Sequence, residues 1–150
     1  DYLVKLNVRE MSDRDAQYVN HVFQALSDLE RIGDYAERLL HLTEQQDEKS
    51  VVYSQSAMAE LAVINDDASQ LSAFYHQDVH LDELKRMAKM QRQIRKLTSQ
   101  SQVNHMERLR TGACSVEAGI LFGEVLNSLN RIGGHAINIA EAATVPQNLE

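Results

Sequence analysis

The sequence predicts an all-α protein, an antiparallel bundle of long helices. Three observations carry this. Six glycines and a single proline in 150 residues leave room for few turns. Apolar residues recur at the helical period of about 3.6 along nearly the whole chain. The phrase "LERIGDYAERLL", residues 29–40, returns one hundred positions later as "LNRIGGHAINIA", residues 129–140, so a helical unit repeats.

The elements follow in order. Residues 1–11 read as the last turns of a helix. Ser12, in "SDRD", suits an N-cap with acids in the first turn behind it. The helix after it, over 12–46, carries the apolar stripe Val19, Val22, Leu26, Leu29, Gly33, Ala36 and Leu40. "QQDEKS" is a polar turn. A second helix over 52–77 carries Met58, Leu61, Ile64, Ala68, Leu71 and Tyr75. A third over 79–111 carries Leu84, Met87, Ile94, Leu97 and Leu109 in a seam that includes polar residues, which predicts an edge position or partial exposure. Gly112 suits the C′ position after it, and Ser115 the next N-cap. The last helix, over 116–144, carries Ile120, Leu121, Val125, Leu129, Ile132, Ala136 and Ile139. A helix apolar on more than one side is buried on more than one side, so it should lie at the centre. Pro146 follows its end. Leu29, Ile32, Leu126, Leu129, Ile132 and Ala136 are the expected core, and short loops make sequential helices antiparallel.

Composition narrows the function. A chain of this length is one domain and can bury a sizeable core. With no Trp and 5% aromatics, that core must come from Leu, Ile, Val, Ala and Met. A net charge of −7 argues against nucleic acid, since phosphate binding needs a basic surface. The lone Cys114 rules out an internal disulfide and suits a reducing compartment. No apolar run approaches the roughly 20 residues of a membrane span. The chain opens "DYLVKL" with neither a Met nor a signal peptide, so it reads as a piece excised from a longer protein.

Three constellations could carry chemistry. Glu30, Asp34, Glu37 and His41 are spaced four, three and four apart, and so share one helix face. Three carboxylates and an imidazole can hold Fe, Mn, Mg or Ca, or a mixed O/N zinc site. The bland alternative is a solvated stripe neutralised by Arg31 and Arg38, the latter four residues after Asp34. "HQDVH", His76 to His80, has the spacing of two ligands on one helix but falls at a helix junction, where Asp78 is the cap. "KRMAKMQRQIRK", residues 85–96, holds six cations and no acid. Its Lys85, Lys89, Arg92 and Lys96 form one stripe, either a solvated outer face or a contact with anionic lipid headgroups. No phosphate-cradling glycine loop, no nucleophile motif around Cys114 and no Ser–His–Asp pattern appears, so no enzyme is expected.

"LERIGDYAERLL" is similar to the signature of the PhoU family of phosphate-signalling proteins. "NHMERLRTGACSVEAGILFGEVLNSLNRIGGHAINIAE", residues 104–141, resembles the C-terminal cytosolic PhoU-like domain of bacterial sodium/phosphate cotransporters. The resemblance implies a helical bundle built from a three-helix unit repeated twice. Residues 1–46 would end the first unit and residues 50–144 form the second, within one domain over 1–150. It also implies metal binding, including iron or zinc clusters, at E-x-x-x-D elements. Glu30 and Asp34 match that element. Asn130 and Gly134 have lost both acids, so the second site should bind no metal. The implied function is a non-catalytic regulatory domain of a sodium-dependent phosphate transporter, at the cytoplasmic face of the membrane. The transporter's transmembrane part would lie upstream. The alternative is a free-standing PhoU-like regulator of phosphate ABC transport and two-component signalling. A homodimer through helix 12–46 is expected, because its apolar stripe needs a cover.

Overall fold

The computed structural model describes residues 12–73 and 81–144. Its helices are α1 (Asp13–Glu48), α2 (Gln55–Ala73), α3 (Leu81–Arg110) and α4 (Val116–Thr144), with no strand among the described residues. This is the all-α class that the periodicity predicts. The expected helix over 1–11, the pair His76 and His80, and Pro146 lie outside the described residues.

Local chemistry sets the ends. The Ser12 hydroxyl accepts from the Asp15 amide, and the Asp15 carboxylate accepts from the Ser12 amide, both at 3.2 Å. This reciprocal box satisfies two donors that the first turn of α1 would otherwise leave free. Ser54 and Ser115 cap α2 and α4, accepting from the amides of Ala57 and Ala118. After α3, Gly112 takes φ +71°, and the Ala113 amide returns to the Arg108 carbonyl at 2.9 Å. That left-handed stop is the one Gly112 predicts. Ser50 plays the same part after α1 with φ +50°, although it carries a Cβ.

α4 lies at the centre, packed against α1, α2 and α3. Phe122, Leu126, Leu129, Ala136 and Ala140 of α4 meet Ala57, Ile64 and Leu71 of α2 and Met87 and Ile94 of α3 in one core. Each large apolar side chain so buried contributes about 1.5–3 kcal/mol. Ile32 and Leu39 of α1 pack against this core from the other side. No helix among the described residues is long and apolar enough to cross a membrane.

Three expectations change on contact with the structure. Leu126, Leu129 and Ala136 are buried and Ile32 and Ile132 partly so, but Leu29 is 58% exposed and Leu26 45%. α1 carries apolar residues on two faces and lies chiefly against one helix. α4 takes the face with Ala25, Asp28, Ile32, Tyr35, Leu39 and Leu42. The stripe through Leu26, Leu29, Gly33 and Leu40 therefore points outward. Met58 and Ile120 are exposed for the same reason, each sitting beside the seam rather than in it. The polar seam of α3 is not exposed: Gln91, Thr98, Ser101 and His105 are buried, alternating at threes and fours with Met87 and Ile94.

Candidate functional site: the polar seam and cleft of α4

The two copies of the repeated phrase lie side by side. Asp28 of α1 meets His135 of α4, and ten residues further along α1 Arg38 meets Glu124, eleven residues back along α4. The helices are therefore antiparallel, with "RIG" crossing "RIG". Asp28 is a buried acid on the apolar face of α1. Its Oδ1 accepts from His135 Nδ1 at 2.7 Å and from Asn138 Nδ2 at 3.1 Å. Tyr35 stacks on the His135 ring, centroids 5.9 Å apart. A buried carboxylate needs such partners, because charge taken from water without them is costly. Asp28 thus latches α1 to α4 and holds His135 by one ring nitrogen.

The acid stripe of α1 lies around the helix from that latch. Asp34, Glu37 and His41 line a shallow groove of about 490 Å³ with Arg38 and Glu124. Glu30 is exposed and does not line it. Asp34 pairs with Arg31 at 3.7 Å, and His41 reaches Glu37 at 3.9 Å and Glu44 at 3.0 Å. Arg38 does not fold back on Asp34; it crosses to Glu124 at 3.0 Å. Asp34, Glu37 and His41 are each more than 60% exposed along the side chain. Among the described residues, no three His, Cys, Asp or Glu side chains converge as a metal-holding group. The donors of the stripe come from one helix and face water.

On α4, where the second copy of the phrase has Asn130 and Gly134 in place of acids, a cleft of about 480 Å³ lies between α3 and α4. Gln91 and Arg95 supply its α3 wall; Asn127, Asn130, Arg131, Gly134, His135, Ile137 and Asn138 supply the rest. Seven positions of α4 at spacings of one, three and four make one continuous face. Gln91 enters against Gly133, where a Cβ would collide with its carboxamide. Its Nε2 donates to the Asn130 carbonyl at 3.2 Å. Gly133 therefore marks a close approach of α3 to α4, whereas Gly33 has nothing within 4 Å of its missing Cβ.

A second polar node, partly buried, ties α2 to α3. Glu60 accepts from both terminal nitrogens of Arg108, at 3.0 and 3.3 Å, and from Asn104 at 3.0 Å. Burial alone would raise the Glu60 carboxyl. The hydrogen bonds from Arg108, Asn104 and Ser101, with the Arg108 charge, bring it below the ordinary range instead. Arg108 also lies over the Phe122 ring, 5.1 Å from its centroid. His105 packs beside that ring, in space that Gly119 leaves by having no Cβ. Burial, then the Arg108 charge, lowers its pKa. On α3, Lys85, Lys89, Arg92 and Lys96 are all exposed, and Lys85 reaches Asp82 at 3.3 Å.

Sequence reading missed Asp28, His135, Gln91 and Arg95. The available signal was Asp28, the lone acid on a second apolar face of α1 whose positions recur at threes and fours from Ala25 to Leu42.

A PhoU homologue of Thermotoga maritima, named as an accessory protein of its phosphate-specific transport system, is 28% identical over 141 residues. The match covers 85% of this chain and 56% of that protein, so the chain spans little more than half its relative's length. No solved structure matches significantly. The PhoU domain matches residues 56–143, from the first turn of α2 to the last turn of α4. The family thus covers more than half of the chain and all three helices of the unit centred on α4, and the chain belongs to the PhoU domain family.

Proposed function

We propose that this chain is part of a PhoU-type regulator of phosphate-specific transport and its two-component signalling, acting by binding and not by catalysis. The observation that carries the reading is the match of the PhoU domain to the three-helix unit α2–α4. The name of the Thermotoga relative supports the same direction. The cotransporter context expected from residues 104–141 draws no support from these matches, and the free-standing regulator is the better supported of the two. Deleting the gene in its source cell and following phosphate uptake tests the proposal. Uptake that no longer falls when phosphate is plentiful is the expected result; unchanged control of uptake refutes it. The reading frame upstream of Asp1 separates the contexts, since several apolar segments of about 20 residues would restore the transporter.

Two ligand assignments belong to this reading. A cation held by α1 would use Asp34 and Glu37 with His41, Glu30 lying nearest along the helix, and would draw further donors from a partner or another segment. Metal content by elemental analysis, in wild type against Glu30→Ala/Asp34→Ala, decides it: equal content removes the site. Lys85, Lys89, Arg92 and Lys96 would meet the inner membrane surface, and sedimentation with anionic but not neutral vesicles is the corresponding test.

A further inference from the structure

α1 joins the rest of the chain as one long arm laid chiefly on one receiving helix, α4. Asp28 accepts from His135 and Asn138, Arg38 pairs with Glu124, and Tyr35 stacks on the His135 ring. Ile32 and Leu39 pack against the core beside them. Every one of these contacts runs from the arm to the three-helix body. A second copy of the same body offers the same partners, so the whole set can be remade between two chains.

The tether between arm and body is short and strained. α1 ends at Glu48, and by Tyr53 the chain is already packed against the core, edge-on to Phe122. In between, Ser50 takes φ +50°, the left-handed region that a residue with a Cβ disfavours. The reversal is closed by the Ser50 amide on the Asp47 carbonyl at 3.1 Å and the Val51 amide on the Gln46 carbonyl at 2.9 Å. Lys49, Ser50 and Val52 are exposed, so water stands ready for the backbone groups that an extended tether would release. Short tethers under strain favour exchange of the element they hold.

We propose that α1 is exchanged between two copies of this chain, the Asp28 carboxylate of one copy accepting from His135 and Asn138 of the other, with residues 49–52 as the hinge. The exchanged pair keeps all the arm's contacts and relaxes Ser50 in both chains. Lost translational freedom opposes it. Bringing two bodies together also creates a contact that the closed chain lacks. The outward stripe of α1, with Leu26, Leu29 and Leu40 exposed, supplies apolar surface for that contact. Exchange is independent of the transport reading, which rests on uptake and stands whether or not the arms cross.

Cross-linking of the whole chain tests the proposal. Arg38→Cys/Glu124→Cys in a Cys114→Ser background sets one thiol on each side of the α1–α4 contact, at side chains 51% and 40% exposed. Losing an exposed ion pair of this kind changes stability little. Light scattering should give twice 17.0 kDa. A short bis-maleimide should then join two chains on a denaturing gel, each single-cysteine variant setting the background. Ser50→Gly occupies the left-handed region freely and should weaken the dimer about tenfold or more, since two hinges lose their strain. A Gly-Ser insertion after Ser50 should act in the same direction and return the cross-link to within one chain. A dimer whose cross-link stays within each chain overturns exchange, as does a dimer affinity unchanged in Ser50→Gly. A wild-type chain that stays a monomer after refolding from urea at high concentration overturns it too. Should the cysteine variant fail to fold, contacts between the Tyr35 and His135 rings in a dimer of differently isotope-labelled wild-type chains decide: between chains for exchange, within one chain against it.

Discussion

Gly33 and Gly133 hold the same place in two copies of one phrase, yet their surroundings set opposite costs for a methyl group. Gly133 faces the Gln91 carboxamide, and Gly33 faces open space. In a helix interior Ala is favoured over Gly by about 1 kcal/mol. Gly33→Ala should therefore raise stability by about that amount, and Gly133→Ala should lower it by about 1–3 kcal/mol through overpacking. Urea melts of the two variants check the pair. Glu60 and Arg108 set the acid limit. Because the Glu60 carboxyl is held below its ordinary range, its contribution is complete above that range and is lost as the pH falls through the lowered value. His105, held neutral by burial, acts in the same direction from a higher pH, since the unfolded chain binds its proton more readily. Glu60→Gln should cost about 1.5–3 kcal/mol near neutrality. Melts from about pH 6 down to about pH 3 should show the gap to wild type closing, because acid removes the same charge from the wild type.

At the scale of the helix, period and position separate. The caps at Ser12, Gly112 and Ser115 were legible because each uses local chemistry that a sequence displays. The central place of α4 was legible because it is apolar on more than one side. The orientation of α1 was not, because two apolar faces satisfy the same period and only the neighbour chooses between them. The buried polar seam of α3 was hidden for a related reason. Gln91, Thr98, Ser101 and His105 look like surface residues until their partners across the seam are known. The cleft was hidden further, since Gln91 and Asn130 are distant in the chain and meet only after folding. The outward face of α1 carries Tyr18, Leu26, Leu29 and Leu40, all exposed. A second copy is the cover expected for it, and Leu26→Glu/Leu29→Glu should leave helicity unchanged while removing self-association. Light scattering checks this. A wild-type mass equal to the 17.0 kDa chain would refute a dimer.

Across the whole molecule, the helices do not share one degree of enclosure. α2, α3 and α4 close around the main core, while α1 is laid chiefly along α4, with Asp28 and Leu42 its only buried residues. The fastening is a polar latch and a few half-buried apolar groups. An arm fastened in this way is expected to open before the rest melts. Native-state hydrogen exchange should therefore resolve two cooperative units, with α1 amides exchanging through a partial opening and those of α3 and α4 only through global unfolding. Asp28→Asn should speed exchange in α1 by about tenfold or more and leave the slowest amides of α4 almost untouched. A single rate class across α1 and α4 would show that the four helices open as one. If the arm does lift, the α4 surface it uncovers carries His135 and Asn138, two residues that also line the cleft, so opening of the arm and filling of the cleft would bias one another.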